Sequence, residues 1–282
     1  MRSRFAYIIP LALLALNFFV YSSLAHGVSG KLRVSFLDIG QGDSVLIQGP
    51  TGTVVLIDGG PGASVLRRLS EELPSFDQIV DAVVETHPDK DHIGGLSDVF
   101  DRYEVSYFFE PGIPNDTSAT KSLLEAVERE PGVTHIIARR GMRLILGGGA
   151  YADVLFPDRD VSGVETNTGS VVLRVVYGAT SFMLTGDSPS NVEEWLVLLD
   201  GSTLQSDVLK AGHHGSRTSS SAEFLAAVNP GVVVISAGKG NSYGHPHEDV
   251  LNRIKIEDAA VAETLGGGTV HFVSDGKTVR KE

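Results

Sequence analysis

The segment His87-Pro88-Asp89-Lys90-Asp91-His92-Ile93-Gly94-Gly95 places four metal-capable side chains within six positions. A lone His-x-Asp is common and means little. H-x-D-x-D-H at the end of an apolar run, ahead of a Gly-Gly turn, is far more specific. Alternate residues at a strand end point the same way, so His87 and Asp89 can grip one ion while a turn redirects Asp91 and His92 toward a second. A loop that only caps the next helix needs one acid and no histidine. Leu184-Thr185-Gly186-Asp187 ends another apolar run on a carboxylate able to bridge two ions, although alone it would pass for a turn aspartate. Lys210-Ala211-Gly212-His213-His214-Gly215-Ser216 ends a third on adjacent histidines. Neighbours on a regular strand face opposite ways, so the glycines are expected to reshape the backbone for both rings to converge. His245, between Gly244 and Pro246, is the candidate for steadying a developing oxyanion or protonating a leaving group. The chain has no cysteine, so any metal must sit on His, Asp or Glu.

The elements that must position these groups follow from periodicity. Leu32 to Leu37, Ser44 to Gln48 and Val54 to Ile57 read as strands, with intervening turns too short for helices, so the chain opens as an antiparallel meander. Val65 to Leu73 reads as a helix and Asp81 to Glu85 as a buried strand. A helix over Ser118 to Arg129 precedes strands at Arg143 to Leu146, Tyr151 to Phe156, Ser170 to Val176 and Ser181 to Leu184. Helix Val192 to Leu199, strand Val208 to Lys210, helix Ala222 to Val228, strand Val232 to Ser236 and helix Glu248 to Ile254 follow. Thr269 to Val273 and Lys277 to Val279 close as a hairpin around Asp275-Gly276. Meander plus helix, repeated twice, predicts an α+β four-layer αββα sandwich, two mixed sheets between outer helices, over residues 31–282. His135, on an apolar strand-like run, reads as buried structure.

Six ordered segments carry a resemblance: Phe36 to Ser44, Ile57-Asp58-Gly59-Gly60, Thr86 to Gly95, Leu184 to Asp187, His213 to Ser216 and Tyr243 to Pro246. Together they resemble the metallo-β-lactamase fold, and more narrowly the hydrolase domain of ComEC-type DNA-uptake (competence) proteins, across essentially Leu32 to Val279. The resemblance implies a dinuclear hydrolase site with His87, Asp89, Asp91, His92, Asp187, His213 and His214 at metal positions. Asp91 and His245 are the catalytic candidates, and Asp58 orients the site from behind. The wider fold usually writes H-x-H-x-D-H; here Asp89 replaces the second histidine, a harder donor that brings Mn²⁺ into competition with Zn²⁺. The expected sharing is His87, Asp89 and His213 on one ion, Asp91, His92 and His214 on the other, and Asp187 bridging. The implied activity is a phosphodiesterase or nuclease using metal-activated hydroxide. Hydrolysis of cell-envelope phosphodiesters, or of a lactam or thioester, is the alternative with the same chemistry; a non-catalytic metal-stabilised module of a DNA-uptake system is the alternative without it. ComEC-type proteins carry a multi-span channel domain, whereas this chain has one apolar segment, so a transport role does not come with the fold.

Composition limits partners and place. The chain has 282 residues, 42% hydrophobic and 21% charged, which excludes wholesale disorder. A net charge of −12, and no basic stripe interleaved with aromatics, disfavour gripping a long polyanion through bulk charge. The resemblance, and not the composition, implies a phosphodiester substrate, with DNA one candidate; no protein partner is identifiable. Lys210, Arg217 and Lys239 could offset the charge locally or sit at the surface. Arg2 and Arg4, an apolar stretch at residues 5–20 and Ser23-Leu24-Ala25 describe a signal peptide over residues 1–25, with a membrane anchor through residues 5–20 as the alternative. Either places the domain outside the cytoplasm, periplasmic or extracellular. N-terminal sequencing of the mature protein should begin at or near His26; an intact Met1 terminus in the cytosol would refute export.

Overall fold

A computed structural model describes residues 29–74, 77–264, 266 and 268–282, together with Pro10, Leu13 and Leu14. The leader expected at residues 1–25 otherwise lies outside the described residues. Among the described residues no helix is long and apolar enough to cross a membrane.

The opening meander is β1 (Leu32–Phe36), β2 (Val45–Gln48) and β3 (Val54–Ile57), paired antiparallel. Helix α1 (Ser64–Glu72) then carries the chain to β4 (Ile79–Val84), which lies parallel to β3 with Ile57 opposite Val84. The short helices α2 (Lys90–Ile93) and α3 (Leu96–Arg102) precede β5 (Glu104–Glu110), and α4 (Ser118–Arg129) precedes β6 (Thr134–Ile137). The terminal hairpin, β14 (Val270–Ser274) and β15 (Val279–Lys281), adds on the other side of β1 and completes eight strands. The second sheet starts antiparallel with β7 (Arg143–Gly147), β8 (Ala150–Phe156), β9 (Val172–Tyr177) and β10 (Thr180–Leu184). Parallel β11 (Val208–Lys210), β12 (Val232–Ile235) and β13 (Ala260–Glu263) extend it, linked through α5 (Ser190–Asp200), α6 (Ala222–Val228) and α7 (Glu248–Ile256).

Three apolar layers show the four-layer order. Between the sheets, Phe36, Phe182 and Phe272 pack edge to face at 6.0 and 6.2 Å. Leu69, Val99 and Leu123 press the first set of helices onto one sheet, and Leu196, Leu225 and Ile254 press the second set onto the other. Central strands are covered on both faces, which is why β10 is apolar or small throughout instead of alternating. Hydroxyls start two of the helices: Thr117 Oγ1 accepts from the Thr120 amide and Ser221 Oγ from that of Phe224.

β5, β13, α2 and α3 are additions to the sequence reading, and β6 falls on the strand-like run around His135. β13 is an edge strand exposed at Ala260 and Val261, so it shows neither a buried apolar run nor a clean alternation. The terminal hairpin sits one to two residues later than expected. Asp275 sets its turn by accepting from the amides of Lys277 and Thr278 at 2.9 and 2.8 Å. His135 is a correction. It lies on edge strand β6 with its side chain 41% exposed and Nε2 3.2 Å from Glu110 Oε1, because β6 is paired on one side only, with β5.

Candidate metal centre

The C-terminal ends of β3, β4, β10, β11 and β12 open on one rim, and each delivers part of the cluster. Beyond β4, Glu85 and Thr86 lead to a fully buried His87. Asp89 occupies the N-cap of α2, yet its side chain makes no capping bond. Its Oδ2 instead lies 3.7 Å from His87 Nε2. The single turn of α2 then swings Asp91 and His92 inward. At the end of β11 the backbone reshaping falls on the histidines themselves and not on the glycines alone. His213 (φ 48, ψ 49) and His214 (φ 56, ψ 25) are both left-handed, with Gly215 following at φ 81. Two non-glycine residues there cost on the order of 1–3 kcal/mol each, strain of the kind stored at functional sites.

All seven sequence-predicted ligands meet around Asp187. Its Oδ2 lies 3.3 Å from His92 Nε2, 3.3 Å from His214 Nε2, 3.8 Å from His213 Nε2 and 4.0 Å from His87 Nε2. Asp91 Oδ2 approaches His214 Nε2 at 3.3 Å. His87, His92 and Asp187 form one group able to hold an ion, and Asp91, His92 and His214 another. Asp89 and His213 join from the more open side. His245 does not enter the cluster: its ring stands 5.6 Å from that of His213 and 6.3 Å from that of His214. The Nε2 atoms of His87, His92 and His214, all buried, have no hydrogen-bond partner. Imidazole lone pairs and carboxylates converging without donors are what a divalent cation requires.

Residues 37–141 match the model of the metallo-beta-lactamase superfamily. The chain is 31% identical over 272 residues to "ComE operon protein 3" of Bacillus subtilis (strain 168), covering 90% of this chain and 34% of that protein. It is 33% identical over 264 residues to "Competence protein ComA" of Neisseria gonorrhoeae, covering 93% and 35%. The chain is a metallo-beta-lactamase superfamily protein. It is related to these competence proteins and spans about a third of their length. Among solved structures, CmlA, a diiron beta-hydroxylase from Streptomyces venezuelae, superposes with a TM-score of 0.52 at 16% identity, over 82% of this chain and 52% of that one, a likeness of fold. The superfamily match ends before Asp187, His213 and His214, so the second half of the cluster stands on the geometry above.

Beneath the open nitrogens, this metallo-beta-lactamase superfamily protein has a floor of fixed donors. His92 Nδ1 donates to Asp58 Oδ2 at 2.8 Å, and Asp58 also accepts from the amide and hydroxyl of Thr86 at 2.8 and 2.7 Å. His87 Nδ1 lies 3.0 Å from Thr86 Oγ1, and His214 Nδ1 donates to the Ser236 carbonyl at 3.0 Å. Each ring is thereby turned so that its Nε2 faces the cluster, where its lone pair becomes a ligand once any proton there is displaced. Sequence reasoning missed Asp43 in this floor and left Lys210 open; Lys210 proves fully buried. Its ammonium pairs with Asp43 and donates to the carbonyls of Gly186 and Ala211 at 3.0 and 3.1 Å, tying the approach to Asp187 to the approach to His213. Arg217 and Lys239 are exposed. A faint signal for Asp43 was Gly42 before it. A Cβ there would fall 2.0 Å from the Asp91 carbonyl, so only glycine lets this loop pack on α2.

The electrostatics favour a cation. Burial alone would raise Asp187, but His214 and His92 hold it well below the ordinary carboxylate value. Burial would likewise depress His92 and His214, yet Asp187, with Asp58 or Asp43, drives both well above the usual imidazole value. A field that retains protons there would also retain a divalent ion. Burial, then His92, push His87 down to about 3, leaving it neutral as a ligand must be. Burial, then His213 and His214, bring His245 to about 4. The Lys210–Asp43 pair yields a direct test. Lys210→Met strands a buried carboxylate and should cost about 3–5 kcal/mol in denaturant unfolding of metal-free protein, whereas Lys210→Met with Asp43→Asn should recover much of that loss. Equal stability of the single variant and wild type would show that the pair contributes nothing.

Proposed function

We propose that the chain is an exported hydrolase of phosphodiesters, nucleic acid among them, working with two divalent ions, Zn²⁺ or Mn²⁺. The observation that carries this reading is the Asp187 carboxylate, within 4.0 Å of four imidazole nitrogens in a buried cluster. The assignment of ligands is His87, Asp89 and His213 on one side, Asp91, His92 and His214 on the other, and Asp187 between them. When bound, paired ions supply a water acidified toward neutral pH and a Lewis acid for charge developing on the substrate. The protein does the rest. Asp91, partly exposed at the mouth with Oδ2 toward His214, would help hold the ion and orient a water there. The floor of Asp58, Thr86 and Ser236 keeps the imidazoles from turning. His245, neutral near pH 7, acts as an N–H donor to the developing oxyanion and not as an acid. The relation to competence proteins supports nucleic acid as the substrate class. The net charge of −12 favours short local contacts over a long tract.

Four measurements check this. Elemental analysis of fully loaded protein should return two ions per chain, and Asp187→Ala should lose far more activity than His247→Ala; a single ion would refute the dinuclear assignment. His245→Ala should keep both ions and lower kcat by about 10²-fold with little change in KM, the scale of one oxyanion donor. A substrate with a better leaving group should not rescue it, since the histidine is no acid. Asp89→His should shift metal selectivity toward Zn²⁺ relative to Mn²⁺; an unchanged affinity ratio would remove Asp89 from the ligand set. A panel of DNA, simple phosphodiesters and a β-lactam tests the substrate class, and turnover of the lactam alone would overturn it.

A further inference from the structure

One aromatic ring at the mouth of the site has no part in holding metal or moving charge. Tyr243 is 64% exposed and stacks on His245, with ring centroids 5.6 Å apart and planes 22° from parallel. His245 in turn stands 5.6 Å from His213. The rings therefore step outward from the ligand cluster, and the last presents a face to solvent. Its loop is fixed. The Asn241 side chain donates to the carbonyls of Gly238 and His245 and accepts from the His245 amide, at 3.0, 2.7 and 2.9 Å. The Gly238 amide donates to Gln41 Oε1 at 3.1 Å, and a Cβ on Gly238 would fall 2.6 Å from the Gln41 amide nitrogen, so the loop is pressed against the turn after β1. The same loop bears exposed Lys239, and the amide of Arg217 donates to His247 Nδ1 at 3.1 Å, which ties the loop to the segment after His214. An aromatic held open on a rigid loop loses little entropy when a flat partner covers it.

We propose that Tyr243 is a specificity-determining platform on which an unpaired nucleobase next to the scissile phosphodiester stacks, so that the site acts on single-stranded nucleic acid in preference to base-free phosphodiesters. This rests on the phosphodiesterase reading above and goes beyond it by naming what holds the substrate. Stacking on one ring is sequence-tolerant, because every base has a π face, and needs no extended basic groove. A base still paired in a duplex is not free to stack, so single strands are the preferred form.

The test uses the full chain loaded with Mn²⁺ and two substrates: a single-stranded oligodeoxynucleotide and the same backbone with abasic sites. Wild type should prefer the base-bearing strand through KM. Tyr243→Ala should raise KM for that strand about tenfold, keep kcat within about twofold, retain both ions and abolish the preference, whereas Tyr243→Phe should preserve it. Fluorescence anisotropy with the same strands should show the same loss in binding. Wild-type hydrolysis of both strands with equal KM, or a Tyr243→Ala enzyme that keeps the preference, overturns the platform and leaves the phosphodiesterase reading standing. Failure of loaded wild type to hydrolyse either strand overturns both.

Discussion

Buried negative charge is the constraint around which this molecule is organised. Asp43, Asp58 and Asp187 are all shielded from water at the junction of two sheets, where an unpaired carboxylate is several kcal/mol unfavourable. Each is therefore matched: Asp58 by His92 and Thr86, Asp43 by Lys210, Asp187 by a ring of imidazoles. The matching is tightest at Asp58 and looser around Asp43 and Asp187, where buried carboxylate oxygens and the Nε2 atoms of His87, His92 and His214 lie close together without hydrogen bonds. That asymmetry separates a structural ion-pair network from a cation site.

The two sheets divide the task. The meander half supplies Asp43, Asp58 and the His87–His92 run, and the second half supplies Asp187, Lys210 and the paired histidines. Neither half holds a complete set, so the geometry depends on the aromatic and aliphatic packing that fixes one sheet over the other. The Val171 amide bonds to the Thr86 carbonyl at 2.9 Å and staples the sheets beside the site. Lys210 acts both along the rim and across it, since one ammonium binds the carbonyls leading into Asp187 and His213 and pairs with Asp43 of the other half. The strained backbone at His213 and His214 is held by such contacts, including the bond from His214 to Ser236.

Substrate recognition poses a different problem from metal binding. On the proposed reading of a nucleic-acid substrate, a chain this acidic repels a polyanion at long range, so binding would have to come from contacts made at the site itself. Charge on the ions, a neutral donor at His245 and an open ring at Tyr243 would supply such contacts in sequence from the reacting phosphate outward.

The ligand-bearing segments and the central strands were legible in the sequence because each is local. An apolar run ending in His, Asp or His-His needs no partner to be noticed, and a strand covered on both faces declares itself as a continuous apolar stretch. Edge strand β13 was not legible, since a strand exposed on its outer side keeps little hydrophobic pattern; β6 was legible as a strand-like run, but its place at the sheet edge put His135 at the surface against expectation. What only tertiary structure decided was function at the floor of the site. Lys210 looks like any cation near a strand end until β10 and the loop before β2 close over it, and Asp43 looks like a turn residue until Gly42 lets its loop lie against α2. Sequence spacing lists groups that can bind a metal. Burial and long-range pairing decide which carboxylate receives a fixed ammonium and which is left for an ion, because electrostatic energy depends on distance and on exclusion of water, neither of which is written along the chain.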